Sequence, residues 1–379
     1  MPTRATRRGA ERTPIDTDAD VLICGASFAG LAVARELAGK SGPARPRVLM
    51  LDRYEIGERQ TSACGIPTQW LEALGLSEQQ RFGELVCHTP HRTARLRLPW
   101  TFSTFDYRTV CGELREQGSD AVFETAKVEG RTGDVVHTDR GDVRAPLVVD
   151  GLGWRRILAP GENVQPPEAW LSRGLEVHPG GSGDDLAIWI DRSYVPAGYG
   201  WSFPAGHEVR VGVGSFDPRV HVKEPTVRLA RDEAREPIRF QGNWIPHRLR
   251  PAAADGVFFV GDSAGHCLPL TAEGIRPALY FGIALGRELR AVVEGRRTRE
   301  DALHSYAAFS AGHRWKWEAM LGVQRAVPRV APRLLTAALR AMESRRFLDW
   351  SFGHYLELAH PRIVGPGRAH PRRAAALAA

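Results

Sequence analysis

The feature that most constrains the fold is a glycine turn between an apolar strand and an apolar helix near the start of the chain. A strand is predicted over 20–24 and a helix over 28–37, joined by Gly25-Ala26-Ser27-Phe28-Ala29-Gly30. Gly25 permits a tight turn out of the strand, and Gly30 lets the helix pack close to the sheet. The helix N-terminus then offers backbone N–H groups and a positive dipole to a pyrophosphate. A glycine-rich turn without a ligand is the alternative, because Ser27 replaces the middle glycine of the usual motif.

A second strand follows and ends on an acidic residue. It is predicted over 48–51 and ends at Asp52, about 20 residues beyond Gly30, where a carboxylate can accept hydrogen bonds from an adenosine ribose. A strand, turn, helix and strand in this order open a parallel sheet. The predicted nucleotide contacts in this part of the chain are Gly25, Ser27, Phe28, Ala29, Gly30, Asp52, Arg53 and Arg59.

A second motif lies much further along the chain. A buried strand predicted over 257–260 runs into Gly261-Asp262, and Glu273-Gly274-Ile275 opens a helix predicted over 273–293. At such a strand end, the Asp262 carboxylate can face the hydroxyls of a ribityl chain. The helix N-terminus can point its N–H groups at the flavin N1–C2=O edge, where negative charge develops on reduction.

These motifs, with Asp150-Gly151 after a buried strand predicted over 143–149, resemble those of FAD proteins with the p-hydroxybenzoate hydroxylase-type fold. The resemblance covers residues 19–295 and implies bound FAD. It implies an α/β chain with a Rossmann-like FAD-binding domain, an inserted and mostly antiparallel β substrate domain, and a helical C-terminal part. The further cofactor contacts that it implies are Asp150, Gly151, Gly261, Asp262, Gly274 and Ile275.

The domain boundaries follow from where the pattern changes to short alternating strands. Strands are predicted at 88–100, 185–190 and 198–204, and Ala205-Gly206-His207 is predicted to connect the last of these to the alternating valines of 209–213. The predicted parts are a disordered tail (1–18), an FAD-binding domain (19–87, 101–160 and 252–299), a substrate-binding β domain (88–100 and 161–251), C-terminal helices (300–365) and a second tail (366–379).

An aromatic row marks the predicted strand at 198–204. Because side chains alternate along a strand, Tyr199, Trp201 and Phe203 are predicted to share one face, either as core or as the wall of a cavity. The segment Pro-Ala-Gly-Tyr-Gly-Trp-Ser-Phe-Pro, followed by Val-Gly-Val-Gly at 211–214, resembles the signature of the geranylgeranyl reductase family, where it helps to shape an isoprenoid tunnel. The resemblance implies substrate contacts at Pro196, Tyr199, Trp201, Phe203 and Pro204.

The segment Cys64-Gly65-Ile66-Pro67 is similar to the Cys-Gly loop of that family, which usually continues with further glycines. Saturating an alkene requires a hydride from reduced FAD, a proton for the neighbouring carbon and exclusion of water. Cys64, Tyr199 and His266 are the predicted proton donors. Cys64 as a small buried side chain and His266 as a cap of the turn after Gly265 are the structural alternatives. No second dinucleotide motif is found, so the electron donor stays open between NAD(P)H and another reductant.

Other functions share this fold. An FAD-dependent hydroxylase of an aromatic or polyketide metabolite is one alternative, and a non-catalytic flavin- or lipid-binding protein is another. Flavin halogenases have a similar Trp-x-Trp-x-Ile-Pro segment, but they need a lysine near the flavin, and this chain has none between Lys40 and Lys127.

Composition limits the partners and the compartment. The net charge of +7 comes almost entirely from arginine, without basic runs interleaved with aromatics, which argues against nucleic-acid binding. Five scattered cysteines, without the spacing of metal ligands, and the lack of a targeting signal favour reduced thiols in the cytoplasm and no metal site. A hydrophobic small molecule is the expected substrate, and the choice between monomer and homodimer stays open.

The C-terminal helical region is amphipathic and basic. Docking on the FAD domain is one interpretation, and peripheral contact with the inner face of an anionic membrane is the other. The residues on which this pattern rests are Leu334, Leu335, Leu339 and Met342 among Arg333, Arg340, Arg345 and Arg346.

Overall fold

The chain was analysed as a computed structural model, which describes residues 13–15, 18–39, 45–60, 62–161 and 164–365. Its strands are β1 (Val21–Cys24), β2 (Val48–Asp52), β3 (Gly65–Pro67), β4 (Gln80–Thr89), β5 (Arg92–Thr104), β6 (Val122–Thr125), β7 (Val128–Thr132), β8 (Val135–Thr138), β9 (Gly141–Arg144), β10 (Leu147–Asp150), β11 (Leu171–Val177), β12 (Leu186–Trp189), β13 (Gly198–Ala205), β14 (Glu208–Ser215), β15 (Gln241–Pro246), β16 (Ala253–Ala254) and β17 (Val257–Phe259). Its α-helices are α1 (Phe28–Leu37), α2 (Thr68–Leu74), α3 (Tyr107–Gln117), α4 (Lys223–Asp232), α5 (Ile275–Val293), α6 (Arg299–Ala311), α7 (Arg314–Ala326), α8 (Pro332–Met342) and α9 (Arg345–Leu356). Short 3₁₀ helices cover Gly261–Ala264, Val327–Arg329, Glu357–Ala359 and Pro361–Val364.

The chain forms two compact units, each assembled from separate segments. The first unit comprises residues 1–59, 108–164 and 248–317, and the second comprises residues 60–107, 165–247 and 318–379. Because β4 is one ten-residue strand that pairs with β5 and β12, residues 60–87 belong to the second unit and not to the nucleotide part that the sequence suggested.

The first unit contains a six-stranded sheet in the order β16-β17-β10-β1-β2-β6. Its central pairs are parallel, and only the short β16 runs antiparallel to its neighbour. The all-apolar strand β1 is buried throughout, as expected for a strand inside a parallel sheet. The predicted α/β class with a parallel sheet is confirmed. Because parallel strands end at the same edge, this sheet brings the loops that follow β1, β2, β10 and β17 together.

Helix α1 is buried along its whole length and packs closely against α5. Two glycines of α5 make this approach possible. A Cβ atom on Gly282 would lie 2.7 Å from the Ala29 carbonyl oxygen, and one on Gly286 would lie 2.5 Å from Glu36 Cβ. The N-terminus of α1 is therefore held in a fixed position at the edge of the sheet.

The second unit contains an eight-stranded sheet in the order β15-β11-β14-β13-β12-β4-β5-β3. Its strands pair antiparallel except for β12 with β4. Leu229 of α4 belongs to the core on one face, with Val211 and Val213. Leu339 of α8 and Leu348 of α9 pack on the opposite face, against Cys87 and its neighbours. The predicted, mostly antiparallel β domain with C-terminal helices is confirmed, and the hairpin turn at Gly206-His207 lies as expected.

Some elements differ from the sequence prediction. The predicted strand at 88–100 consists of the end of β4, a turn at residues 90–91 and most of β5, which form a hairpin. The sequence did not reveal the turn because β4 lacks clear alternation. The predicted strand at 143–149 is divided between β9 and β10. In the first predicted tail, Ile15 is buried and donates its N–H to the Arg140 carbonyl oxygen, whereas residues 1–12 and 16–17 and the tail at 366–379 lie outside the described residues.

Candidate flavin site and aromatic face

The glycine turn after β1 has no room for larger residues. Gly25 has φ = +110°, and a Cβ atom there would lie 2.3 Å from the Gly151 carbonyl oxygen. A Cβ atom on Gly30 would lie 1.9 Å from the Gly25 carbonyl oxygen. Ser27 is the N-cap of α1, and its side chain makes no capping hydrogen bond. The N-terminus of this buried helix can present backbone N–H groups and a positive dipole to a phosphate oxygen.

Asp52 connects the end of β2 to this turn. Its carboxylate accepts hydrogen bonds from the N–H of Ala26 at 2.9 Å and from the N–H of Tyr54 at 3.0 Å. Burial raises the pKa of Asp52 despite these two donors. Each carboxylate oxygen has a second lone pair, so the predicted contact with a ribose hydroxyl is chemically open.

Arg53 and Arg59 both contact the ring of Tyr54, which lies two residues after Asp52. Their guanidinium carbons are 4.7 Å and 5.2 Å from the centroid of the Tyr54 ring, and Arg59 also donates to the Tyr54 hydroxyl. Both arginines are exposed. These contacts orient the two cations through stacking, and their predicted contact with FAD stays a prediction.

Asp150 has a structural task that the sequence did not indicate. Its carboxylate is fully buried and accepts hydrogen bonds from Leu152 N at 2.9 Å, Leu158 N at 2.8 Å and Ser263 Oγ at 2.7 Å. These bonds hold the loop after β10 against the 3₁₀ turn after β17. The predicted contact of Asp150 with FAD stays a prediction, and Gly151 forms the wall behind Gly25.

Asp262 lies in that 3₁₀ turn and differs from the other two carboxylates. Its carboxylate makes no hydrogen bond to any residue in the described part of the chain, and burial raises its pKa to about 6 although Arg250 lowers it. Gly274, the N-cap of α5, has no capping side chain, and a Cβ atom there would lie 3.8 Å from Asp262 Oδ1. An acceptor without a donor thus lies beside a helix N-terminus, as expected for a flavin ribityl site.

His266 is buried in the first unit and has partners at both ring nitrogens. Gly261 N–H donates to its Nδ1 at 3.2 Å, so Nε2 carries the proton and donates to Ser310 Oγ at 3.0 Å. Its ring stacks on Phe281 with centroids 3.7 Å apart, and burial lowers its pKa well below the usual range. This geometry agrees with the alternative in which His266 caps the turn after Gly265, and its role as a proton donor stays a prediction.

Cys64 adopts a strained backbone conformation in the second unit. Its φ is +54°, and its buried thiol lies 3.2 Å from the Ser62 carbonyl oxygen. The Cys64 carbonyl oxygen accepts the N–H of Phe105 at 3.2 Å. A non-glycine residue held in this region is uncommon and often marks a functional position. The structure therefore agrees with an ordered, unusual turn at Cys64 without testing its chemistry.

The predicted aromatic row forms one face of β13 and is not part of the core. Tyr199, Trp201 and Phe203 are each half-buried, whereas Gly200 and Ser202 on the other face are buried. A Cβ atom on Gly200 would lie 2.6 Å from Leu229 Cδ2, so the small residues face the core beneath α4. This distribution supports the cavity-wall interpretation of the row.

The Trp201 indole ring packs against glycines of β14 and β11. A Cβ atom on Gly212, Gly214 or Gly174 would lie 2.2, 3.4 or 3.8 Å from an atom of the indole ring. Register explains the arrangement, because Trp201 pairs with Gly212, which pairs with Glu176 of β11. Sequence analysis missed Glu176, although its carboxylate accepts the indole Nε1–H at 3.0 Å.

Comparison with known proteins supports the resemblance to geranylgeranyl reductases that the sequence motifs indicate. No family model matches the chain. A digeranylgeranylglycerophospholipid reductase of Methanosphaera stadtmanae is 26% identical to it, with 78% of this chain and 83% of that protein covered. This chain is an FAD-dependent oxidoreductase that is similar to geranylgeranyl reductases.

Solved structures agree on the fold of this reductase-like flavoprotein. A geranylgeranyl bacteriochlorophyll reductase-like protein from Thermoplasma acidophilum has a TM-score of 0.76 and 18% identity, with 86% of this chain and 92% of that chain covered. A probable FAD-dependent monooxygenase from Pseudomonas aeruginosa has a TM-score of 0.63 and 19% identity, with 89% and 100% covered. Because both identities are low, these structures establish the shared fold and not the reaction.

The residues of the flavoprotein fit FAD. Glycines at the α1 turn leave room for a pyrophosphate, Asp52 can take a ribose hydroxyl, and Asp262 offers an unpartnered carboxylate beside the N-terminus of α5. Within the described residues, none of the helices has the length and apolar character needed to cross a membrane.

Proposed function

We propose that this protein reduces carbon–carbon double bonds of an isoprenoid or another lipid-like substrate. The observation that supports this most strongly is the aromatic face of β13, which stays half-buried because glycines underlie it and the core lies on the other side of the strand. An apolar wall of this kind suits a prenyl chain, which lacks polar groups for recognition. The similar proteins, a digeranylgeranylglycerophospholipid reductase and a geranylgeranyl diphosphate reductase, point to the same substrate class.

FAD, once reduced, supplies the hydride to one alkene carbon. The protein must then bind the chain, exclude water and deliver a proton to the neighbouring carbon. We assign the first two tasks to Tyr199, Trp201 and Phe203, with Pro196 and Pro204 at the ends of the segment. Cys64 and Tyr199 are the proposed proton donors, since the nitrogens of His266 are engaged within the core of its own unit.

A mass-spectrometric assay tests this function. FAD-loaded protein, reduced with dithionite under argon, is incubated with geranylgeranyl diphosphate or a geranylgeranyl glycerolipid. The product is expected to gain two hydrogens per reduced double bond, and Trp201→Ala is expected to lose most of this activity. The hydroxylase alternative predicts instead one added oxygen with O₂ and NAD(P)H. A product with added oxygen and none with added hydrogens would replace our proposal with the alternative.

The reductant is a separate proposal. We infer that NAD(P)H or a small electron carrier reduces the flavin without a second nucleotide domain, because the described residues contain one such sheet. Anaerobic mixing with NADPH, NADH or dithionite should bleach the flavin absorption at very different rates. Bleaching by dithionite alone would exclude the nicotinamides and direct the search to an electron-transfer protein. A flavin that none of these reduces would instead support the non-catalytic alternative.

We also propose that helices α8 and α9 contact the anionic inner face of the cytoplasmic membrane. Leu339 of α8 and Leu348 of α9 are buried against the sheet, and residues on the opposite sides of both helices are exposed. Arg333, Arg340 and Arg346 form no ion pair with residues in the described ranges. Exposed apolar groups among unpaired arginines are typical of interfacial helices. The exposed residues of this outward helical face are Leu334, Ala337, Ala341, Arg346, Phe347 and Trp350.

Vesicle sedimentation tests this contact. The protein should sediment with vesicles that contain phosphatidylglycerol and less with pure phosphatidylcholine, and added salt should weaken the binding. Trp350→Ser should reduce binding, whereas Trp170→Ser, at another exposed tryptophan, should not. Equal binding to both vesicle types, or none, would show that this face has another role.

A further inference from the structure

A chain of charged side chains lies on the same face of the sheet as the aromatic row of the second unit. Glu176, His178 and Arg210 are almost fully buried, and Glu208 is partly buried between them. Charged groups in such positions are costly unless each one is paired. The way in which they are paired indicates what they do.

At one end, the chain meets Trp201. Glu176 Oε2 accepts the indole Nε1–H at 3.0 Å, and Glu176 Oε1 accepts a hydrogen bond from His178 Nε2 at 3.0 Å. Gln241 of β15 also donates to Glu176 Oε1. The carboxylate is therefore held by hydrogen bonds from His178 and from Gln241 of β15. It can fix the orientation of the indole ring against the glycines of β14 and β11.

At the other end, the chain meets the turn that contains Cys64. His178 Nδ1 lies 3.4 Å from Glu208 Oε1, which accepts Arg210 Nε–H at 3.0 Å. Arg210 Nη1 donates to the Ala63 carbonyl oxygen at 2.9 Å and to the Phe105 carbonyl oxygen at 3.0 Å. These two carbonyl groups lie on either side of the hydrogen bond that closes the Cys64 turn.

When His178 is protonated, the charges along the chain alternate in sign. Hydrogen bonds to Glu176 and Glu208 raise the pKa of His178, although burial lowers it. The hydrogen bond from His178, with help from Arg210, lowers the pKa of Glu208 to about 2. The other groups that face His178 are Arg239, which donates to the His178 carbonyl oxygen and lies 3.4 Å from Glu208 Oε2, and the neutral Gln241.

We propose that Glu176, His178, Glu208 and Arg210 form a positioning network that fixes the Trp201 ring and the Cys64 turn relative to each other. This inference rests on the proposed role of the aromatic face as the substrate wall. In this arrangement the network would determine the distance between the aromatic wall and Cys64, the proposed proton donor. It would act through Trp201 and Cys64 and would not itself touch the substrate.

The first experiment observes the indole directly and does not depend on the substrate. In FAD-loaded protein labelled with ¹⁵N at tryptophan, Trp201→Phe identifies the Nε1–H signal of Trp201. Glu176→Gln keeps an acceptor and should preserve a protected signal, whereas Glu176→Leu should shift it and speed its exchange with solvent by roughly tenfold or more. Glu84→Leu, at an exposed glutamate of the same sheet, is the control. An unchanged signal in Glu176→Leu would overturn the inference.

The second experiment examines the far end of the network. The Cys64 thiol is buried, so native protein should react slowly with iodoacetamide at this position. Arg210→Lys keeps the charge but cannot reach both carbonyl groups, and it should speed alkylation of Cys64, located by peptide mass, by roughly tenfold. Arg219→Lys, at an exposed arginine, should leave the rate unchanged. If Arg210→Lys does not fold, Glu208→Gln replaces it, with the same expectation. Unaltered protection in a folded variant would refute the connection to Cys64.

Kinetics separate this inference from the proposed function. If Trp201 is positioned by Glu176, Glu176→Leu should lower kcat/KM for long prenyl substrates by about ten- to a hundredfold, with partial recovery in Glu176→Gln. Wild-type protein that reduces no alkene would contradict the proposed function and leave the indole and thiol results standing. Normal kinetics in Glu176→Leu with a displaced indole signal would show that the network is structural only, which overturns its positioning role.

Discussion

The change Asp262→Asn should affect the stability of the protein and its affinity for FAD in opposite directions. The carboxylate of Asp262 has no hydrogen-bond donor among the described residues, and burial raises its pKa to about 6. Asparagine has the same shape without the charge. The substitution therefore removes an unfavourable buried charge from the apo protein and also removes the charged acceptor that we assign to the ribityl chain.

The size of both effects can be derived from the structure. An aspartate in the unfolded chain has a pKa of about 3.9, so its pKa rises by about two units on folding, and each unit corresponds to about 1.4 kcal/mol. The charge thus costs the apo protein at most about 3 kcal/mol above pH 6. Since the folded pKa is raised, this cost is absent below about pH 4 and grows as the pH rises between about 4 and 6. Loss of a charged hydrogen bond should weaken FAD binding by about ten- to a hundredfold.

Denaturant unfolding of the apo proteins and fluorescence titration with FAD measure the two effects. At pH 8 the asparagine variant should have the larger free energy of unfolding, and the difference should shrink towards pH 4.5. Asp134→Asn, at an exposed turn between β7 and β8, should change neither quantity. A variant that is no more stable than wild type at pH 8, and that binds FAD equally well, would show that Asp262 is neither strained by burial nor used by the cofactor.

Three further predictions follow from positions already described. Gly25→Ala forces a Cβ atom to within 2.3 Å of the Gly151 carbonyl oxygen, so the purified variant should contain little FAD and melt at a lower temperature. Trp201→Ala should lower kcat/KM by a factor that corresponds to about 2 kcal/mol or more of lost transition-state stabilisation, with little change in Tm. Gly200→Ala, which clashes with the core, should instead lower Tm strongly. A larger loss of Tm in Trp201→Ala than in Gly200→Ala would place the aromatic row in the core. His178→Gln should lower the free energy of unfolding most below about pH 6.5, and less as the pH rises through the raised pKa of His178, because only the protonated imidazole pairs with both glutamates; a difference that does not change with pH would contradict this.

The parts of the site that depend on local chain order could be predicted from the sequence. The Gly25 turn follows β1, Asp52 is the last residue of β2 and the Gly261-Asp262 turn comes after β17, so the parallel strand order brings them to one edge of the sheet. The same holds for the aromatic row, since alternation along β13 is enough to place its three rings on one face.

Other features depend on which strands become neighbours, and no single segment contains that information. Glu176 meets Trp201 only because β14 lies between β11 and β13 in the sheet. The partners of His266 also come from separate elements, since Ser310 lies in α6 and Phe281 in α5. Asp150 likewise accepts a hydrogen bond from Ser263, a partner more than a hundred residues away.

The assembly of each sheet from distant segments has a consequence for how the chain folds during its synthesis. Strand β10 pairs with β1 on one side and with β17 on the other, and β4 pairs with β12 across about a quarter of the chain. Pairings that join such distant segments are slow to form, because loop closure must precede the contacts. Neither sheet can close until residues beyond 240 have left the ribosome, so nascent chains expose the apolar strands β1, β2 and β10 for much of translation. Chains arrested before β17 should therefore depend on chaperones and should not retain FAD, whereas chains released after α5 should complete the nucleotide sheet.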